Sequence, residues 1–496
     1  MSESCGVKKS QIFNAPRIMI AAPKSGSGKT SITCALLQLL KNHGKNPVAF
    51  KCGPDYIDPM FHRQVLGINS TNLDSFFCDD RLLKEIFRQN TGSQENFAVI
   101  EGVMGLFDGL GGTSVKASSY DIARITRTPI ILLIDAEGAS RSILPLIKGF
   151  LDYDSENLIK GIFLNKVSKS TYLVVKPLIE EELKIPLIGF FPKDSENVLK
   201  SRHLGLVLPN EIKDLKEQIQ KSAEVLESGL DFKMLENISR GDVLELKRRP
   251  LTYMNVGILK DGNGGENDRQ SDISDDNSYD RIKIAVAFDE AFCFYYQENL
   301  KLLESYGAKI EYFSPLHDKS LPDGAKGILL GGGYPELYAE ELEANLSMRN
   351  SINGVVQKGI PLIAECGGFM YLQEKLTAQN GKSYQMCGAI KGECRYTGKL
   401  VRFGYAEFSL KEENSGDSSV IIKKPVRGHE FHYFDSTNNG ACFTAEKPLS
   451  KKSWDCMIFN SKMLAGFPHL YYPSNPEIVR WFIDECKKGW KGRAKK

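Results

Sequence analysis

The sequence predicts an α/β protein of two domains, each a mostly parallel sheet with helices on both faces. Short, almost wholly apolar runs alternate with helical patterns along both halves of the chain, which is how strands buried on both faces read. Most of these runs end in loops rich in glycine and aspartate, as crossover units require. One acidic stretch, Asp261 to Asp280, interrupts the alternation with seven acidic residues, one basic residue and three glycines. It buries too little apolar surface to offset its ordering entropy, so a flexible linker is expected there. The expected layout is a first domain over residues 1–260, a linker over 261–280 and a second domain over 281–496.

In the first domain RIMIAA (Arg17 to Ala22), PVAFK (Pro47 to Lys51), FAVIEG (Phe97 to Gly102), PIILLID (Pro129 to Asp135) and IKGIFLN (Ile159 to Asn165) read as buried strands. In the second, IKIAVAF (Ile282 to Phe288), KIEYF (Lys309 to Phe313), GILLGG (Gly327 to Gly332) and PLIAEC (Pro361 to Cys366) do the same. Thr30 to Lys41 and Glu298 to Tyr306 are among the helices between them, and Glu236 to Arg249 reads as a solvated helix face. In such folds ligands bind at the carboxyl ends of the strands.

Composition narrows the function classes. The chain has 496 residues, 42% apolar and 25% charged, which excludes wholesale disorder. A net charge of +2 gives no global basic field, so nucleic acid is not an expected partner. No apolar window is long enough for a membrane span, and the N-terminus does not read as a signal peptide. Eleven cysteines without a CxxC pair suit reduced thiols in the cytoplasm.

Directly after the first strand comes Lys24-Ser25-Gly26-Ser27-Gly28-Lys29-Thr30, then a helix. Glycines let backbone N–H groups turn inward around phosphate oxygens, and the helix start favours the same anion. Lys29 is placed to pair with the outer phosphates and Thr30 to ligate Mg²⁺. The common GxxxxGK[ST] spacing asks for glycine where this chain has Pro23, so the loop is of the variant KxGxGK[ST] form. A Mg²⁺–nucleotide site needs further oxygen ligands. Glu101 ends the strand FAVIE and is the first candidate metal ligand; Asp55 and Asp58 in GPDYIDP and Asp108 in GVMGLFDG also follow strand ends. Lys51 is a candidate to face phosphate or an anionic substrate, and Asn165 a candidate to hydrogen-bond the nucleotide base.

In the second domain Cys366 stands where a buried strand must turn sharply into a helix, with Ala364 two residues before and Gly368 two after. This is the small-x-nucleophile-x-small pattern of a nucleophile elbow, and the helix start is expected to favour a thiolate. A thiolate nucleophile needs a base. His429 and His432 in GHEFHYF and His469 in GFPHLYY are the three histidines downstream, and strand alternation puts the first two on opposite faces. Backbone amides from the loop Gly331-Gly332-Gly333-Tyr334 and from Gly367 are the candidate oxyanion donors.

At these residues the chain resembles the cobyrinate a,c-diamide synthase family across nearly its full length. APKSGSGKT, KCGPDYIDP, EGVMGLFDG, AFCFYYQENL, LGGGYPE, AECGGFMYL, GHEFHY and GFPHLYY stand in that family's order. The first half is similar to dethiobiotin-synthetase-like P-loop enzymes, the second to class I glutamine amidotransferase domains of the cobyric-acid-synthase type. The resemblance implies a P-loop NTPase fold followed by a class I amidotransferase fold. It implies Cys366 attacking glutamine, His469 as its base, and ammonia amidating the a and c acetates of cobyrinate after ATP activates each as an acyl phosphate. It implies ATP at Lys24, Gly26, Gly28, Lys29, Thr30 and Asn165. Mg²⁺ would sit at Thr30, Glu101 and Asp55, while Lys51, Asp58 and Asp108 position substrate or metal. Where most class I amidotransferases carry a glutamate two residues after the histidine, this chain has Tyr471. The sister reading is a,c-diamidation of nickel-sirohydrochlorin. A partitioning-type ATPase, in which Lys24 would reach a partner's nucleotide, is the reading from another class. A homodimer is one assembly open to the chain. The linker's net −6 leaves the rest of the chain at +8, which suits ATP and a tetrapyrrole polycarboxylate.

Overall fold

The computed structural model describes residues 11–193, 212–241, 243–246, 281–412, 422–450 and 452–491. The acidic segment 261–280 and the end of the charged stretch 236–249 lie outside them. The chain forms two compact units, residues 1–250 and 251–496.

The strands of the first unit are β1 (Gln11–Phe13), β2 (Arg17–Ala21), β3 (Pro47–Cys52), β4 (Ser70–Leu73), β5 (Phe97–Glu101), β6 (Ile130–Asp135), β7 (Ile159–Asn165), β8 (Leu187–Phe191) and β9 (Leu244–Leu246). Its helices are α1 (Lys29–Asn42), α2 (Ile57–Gln64), α3 (Asp80–Thr91), α4 (Ser119–Thr126), α5 (Ile143–Tyr153), α6 (Lys169–Leu183), α7 (Ile212–Gly229) and α8 (Phe232–Ser239). Seven strands form one parallel sheet in the order β4-β3-β5-β2-β6-β7-β8, and β1 pairs with β9 outside it. β2 and β5 are buried at every position, because helices cover the sheet. Ile32, Ala35, Leu36 and Leu39 of α1 pack with Ile219, Ala223 and Leu226 of α7 and with Ile20, Ile131 and Leu133 of the sheet. Side-chain oxygens of Asp79, Ser118 and Ser168 accept from backbone amides at the starts of α3, α4 and α6. The register aligns Lys51 of β3 with Glu101 of β5, and Glu101 with Ile20 of β2. Three strand ends therefore stand side by side where the glycine-rich loop leaves β2.

The second unit contains β10 (Ile282–Ala287), β11 (Ala308–Phe313), β12 (Gly327–Leu330), β13 (Leu362–Glu365), β14 (Lys375–Thr377), β15 (Ser383–Gln385), β16 (Glu393–Tyr396) and β17 (Arg402–Leu410). After these come β18 (Val426–His432), β19 (Phe434–Ser436), β20 (Phe443–Glu446), β21 (Ser453–Cys456), β22 (Ile458–Asn460), β23 (Met463–Gly466) and β24 (His469–Leu470). Its helices are α9 (Gln297–Ser305), α10 (Ala339–Ala344), α11 (Leu346–Gln357), α12 (Gly367–Leu372) and α13 (Glu477–Lys491). The main sheet runs β11-β10-β12-β13-β23-β22, parallel except at the β22 edge. All four strands predicted for this half are in it. Two more sheets join it that the sequence reading did not anticipate: a five-stranded antiparallel sheet, β21-β20-β17-β18-β24, and a four-stranded sheet, β15-β14-β16-β19. Strands such as β17 bury only alternate positions, among them Ala406 and Phe408, so no continuous apolar run marks them.

Candidate functional site

The loop after β2 turns at Gly26 (φ 77°) and Gly28 (φ 92°), both in the left-handed region where a side chain is strained. Gly28 is also closely approached: a Cβ there would collide with the Asn165 amide. Asn165 Nδ2 donates to Ser27 O at 2.8 Å, and its Oδ1 accepts from Lys166 N. In the structure this side chain thus holds the phosphate loop, rather than standing open toward a base. Lys24 is exposed, and its carbonyl accepts from Lys29 Nζ at 3.0 Å. Lys29 Nζ also donates to Met104 O at 2.6 Å, so the ammonium joins the phosphate loop to the loop after β5. Burial, with the nearby Lys51 charge, lowers the Lys29 pKa to about 8.

Glu101, completely buried, sits at the centre of this site. Its Oε1 accepts from Thr30 Oγ1 at 2.5 Å and from Lys51 Nζ at 2.7 Å. Lys51 Nζ lies 2.5 Å from Asp58 Oδ2 as well. Burial opposes the Lys51 charge, but Glu101 and Asp58 outweigh it and hold the ammonium well above the ordinary lysine value. Burial likewise opposes ionisation of Asp58, and Lys51 overcomes it and holds that carboxyl low. Burial pushes Glu101 up to about 7 against the pull of Lys51. Lys51 is therefore committed to two carboxylates. Asp55 Oδ1 accepts the amides of Ile57 and Asp58 and so fixes the entry to α2. Asp108, exposed, closes its loop by accepting from Gly105 N at 2.9 Å.

The Thr30 hydroxyl and Glu101 carboxylate are hard oxygen donors, and Glu101 Oε2 is buried without a hydrogen-bond partner, which fits a hard divalent cation. Asp55 fits less well, since one of its oxygens is taken by backbone amides. Among the described residues no group of three or more His, Cys, Asp or Glu is arranged to hold a metal alone. His62 was missed by the sequence reading. It is buried, with Nδ1 3.0 Å from Ser70 Oγ and Nε2 3.8 Å from Glu101 Oε2. Its spacing from Asp58, i to i+4 on α2, was the available signal.

In the second unit Cys366 has φ 46°, the strained backbone of an elbow, and its amide donates to Gly466 O at 2.8 Å. A Cβ on Gly368 would collide with Leu330 O, so the strand–helix approach needs a glycine there. A Cβ on Gly367 would lie 3.1 Å from Gly333 N, and one on Gly332 would strike the His469 ring. The loop Gly331–Tyr334 thus spans from Gly367, next to Cys366, to the His469 imidazole.

The structure separates the three histidines. Antiparallel pairing sets His429 opposite His469, and their rings stack at 4.9 Å. His429 Nδ1 lies 3.1 Å from the Tyr296 hydroxyl. His432 faces away, stacked on Phe467, with Nε2 2.9 Å from Glu430 Oε2 and Nδ1 2.6 Å from Phe434 O. Both nitrogens of His432 are thus engaged, and His469 is the histidine whose ring lies against Gly332. Burial, with His429 and His432, holds His469 well below the ordinary value. Tyr471 is buried and packs edge-on against Tyr296 at 5.4 Å.

Burial works against the thiolate expected at the helix start. The helix after Cys366 has only six residues, and burial, with Glu336 and Glu430, pushes the thiol well above its ordinary value. Burial thus disfavours the charged form of both thiol and imidazole. The thiolate fraction then rises with pH, so alkylation of Cys366 by iodoacetamide, followed by peptide mass, is expected to climb about tenfold per pH unit to at least pH 9. A plateau below pH 8 contradicts this.

Comparison with known proteins places these sites in context. Residues 283–474 match the model of the CobB/CobQ-like glutamine amidotransferase domain. Residues 18–206 match the CobQ/CobB/MinD/ParA nucleotide binding domain. A cobyrinate a,c-diamide synthase of Caldanaerobacter subterraneus subsp. tengcongensis is 37% identical over 94% of this chain and 98% of its own. One from Listeria innocua is 37% identical over 95% of this chain and 100% of its own. No described helix is long and apolar enough to cross a membrane.

Proposed function

Because the chain belongs to the cobyrinate a,c-diamide synthase family, we propose that it amidates the a and c acetate carboxylates of cobyrinate, using ATP and glutamine, in the route to cobalamin. That it is a glutamine-dependent amide ligase follows from its relatives and its amidotransferase domain. The observation that carries the chemistry is the pairing, in one chain, of a glycine-rich phosphate loop closed by Lys29 with an elbow cysteine whose neighbouring glycine loop also lies against His469.

Cys366 gives its proton to His469 and attacks the side-chain amide of glutamine. Amides of Gly332, Gly333 and Gly367 face the oxyanion. The C–N bond breaks, ammonia leaves with the proton from His469, and water hydrolyses the thioester to glutamate. In the first unit a substrate carboxylate oxygen attacks the γ-phosphorus of ATP and ADP departs. Ammonia then attacks the acyl phosphate carbon and phosphate leaves, giving the amide. Lys29 and the amides at Gly26 and Gly28 hold the phosphates. Thr30 and Glu101 would hold Mg²⁺, whose charge would offset that on the transferring phosphoryl group. Lys51 keeps Asp58 ionised and draws Glu101 toward its charged form.

The test is to incubate the full chain with ATP, Mg²⁺ and glutamine, separately with cobyrinate and with nickel-sirohydrochlorin, and to follow product mass. Two successive mass losses of about 1 Da per carboxylate converted, at the cost of one ATP each, are expected with cobyrinate. Turnover only with nickel-sirohydrochlorin replaces the substrate assignment. ATP hydrolysis with neither amidated overturns the ligase mechanism.

A further inference from the structure

The residue that anchors His469 is not supplied at the position two residues beyond it, where Tyr471 carries no carboxyl group. A buried carboxyl group stands elsewhere. Glu365, 6% exposed, is the last residue of β13 and is covalently next to Cys366. Its Oε1 accepts from the Tyr472 hydroxyl at 3.0 Å, and the Leu470 backbone works with that hydroxyl to favour the ionised carboxylate. Asn299 of α9 grips the same segment from the other side. Its Nδ2 donates to Leu470 O at 2.8 Å and its Oδ1 accepts from Tyr472 N at 2.9 Å. Glu365, Asn299 and Tyr472 are all buried.

We propose that Glu365 and Asn299 are positioning residues for His469. They clasp the Leu470–Tyr472 segment, from the nucleophile's own strand and from α9, and so hold the imidazole against Gly332. The clasp ties base to nucleophile through the shortest available path, since Glu365 precedes Cys366 and Leu470 follows His469. It accounts for a buried carboxyl group whose side-chain partner is the Tyr472 hydroxyl. Burial pushes that group up to about 8, so an apolar residue would suit the position better if packing were its only role. The other side of the ring is fixed by His429 stacking.

The inference rests on Cys366 and His469 as nucleophile and base. Hydrolysis of glutamine by the full chain, without ATP or tetrapyrrole, tests it through Tyr472→Phe, Glu365→Ala and Glu365→Gln, with thermal unfolding as the folding check. Tyr472→Phe is expected to lower kcat about tenfold and Glu365→Ala about a hundredfold, with KM changed less than about twofold. Glu365→Gln keeps an oxygen for the Tyr472 hydroxyl and should recover about tenfold over Glu365→Ala. A kcat within twofold of the parent in Tyr472→Phe, a loss carried by KM, or a Glu365→Gln no better than Glu365→Ala overturns the clasp. If Glu365→Ala lacks a cooperative transition, Tyr472→Phe decides alone. Cys366→Ala is the control: if it still hydrolyses glutamine, the nucleophile assignment has failed rather than the clasp.

Discussion

Cys366→Ala is expected to lower glutamine-dependent amidation at least about a thousandfold while leaving ammonia-dependent amidation within about twofold of the parent. The sulfur is the only group at the elbow that can form the glutamyl thioester, and neither Gly367 nor Gly333 offers a side chain to replace it. The strained backbone at φ 46° tolerates alanine as it tolerates cysteine, so the fold is retained. Ammonia supplied from solution bypasses the thioester, and the phosphate site is untouched. Product mass with each nitrogen donor checks this. Normal use of glutamine by the variant removes Cys366 from the mechanism.

Lys29→Ala is expected to remove amidation with either nitrogen donor, by about 10²- to 10³-fold, while glutamine hydrolysis by the second unit persists. The ammonium is the one phosphate-loop cation drawn inward, bonded to Lys24 O and Met104 O. Both partners are backbone carbonyls at the loop surface, so the cost to stability is small beside the loss of phosphoryl stabilisation. Glu101→Ala reads the same chemistry less cleanly. It would leave buried Lys51 with Asp58 alone, and breaking such a pair costs about 3–5 kcal/mol. Retained ATP-driven product in Lys29→Ala would overturn the phosphate-site assignment.

The parallel sheets were legible because their strands are buried on both faces and read as unbroken apolar runs, RIMIA and FAVIE above all. β4 (STNL) escaped because it is polar, and β8 (LIGFF) was not named although Pro186 marks its start. The antiparallel sheet around β17 and β18 escaped because strands such as β17 are only partly buried and carry no unbroken apolar run. Phosphate loop and elbow were legible for another reason: each compresses its chemistry into a few adjacent residues. The ion network was only partly so. Glu101, Lys51 and Asp58 could each be named from their places after strands, but which of them pair is a matter of register.

By itself the sequence determined the two α/β units, the phosphate loop, the cysteine elbow and the class of chemistry, since local order of residues is enough to specify a strand, a glycine turn or an elbow. Only the tertiary structure decided that His469 rather than His432 lies against Gly332, what Lys51 faces, that burial works against a Cys366 thiolate, and that Glu365 and Asn299 bond to the segment after His469. Those outcomes depend on burial and on contacts between residues as much as 173 positions apart, and neither distance nor desolvation is written in local spacing.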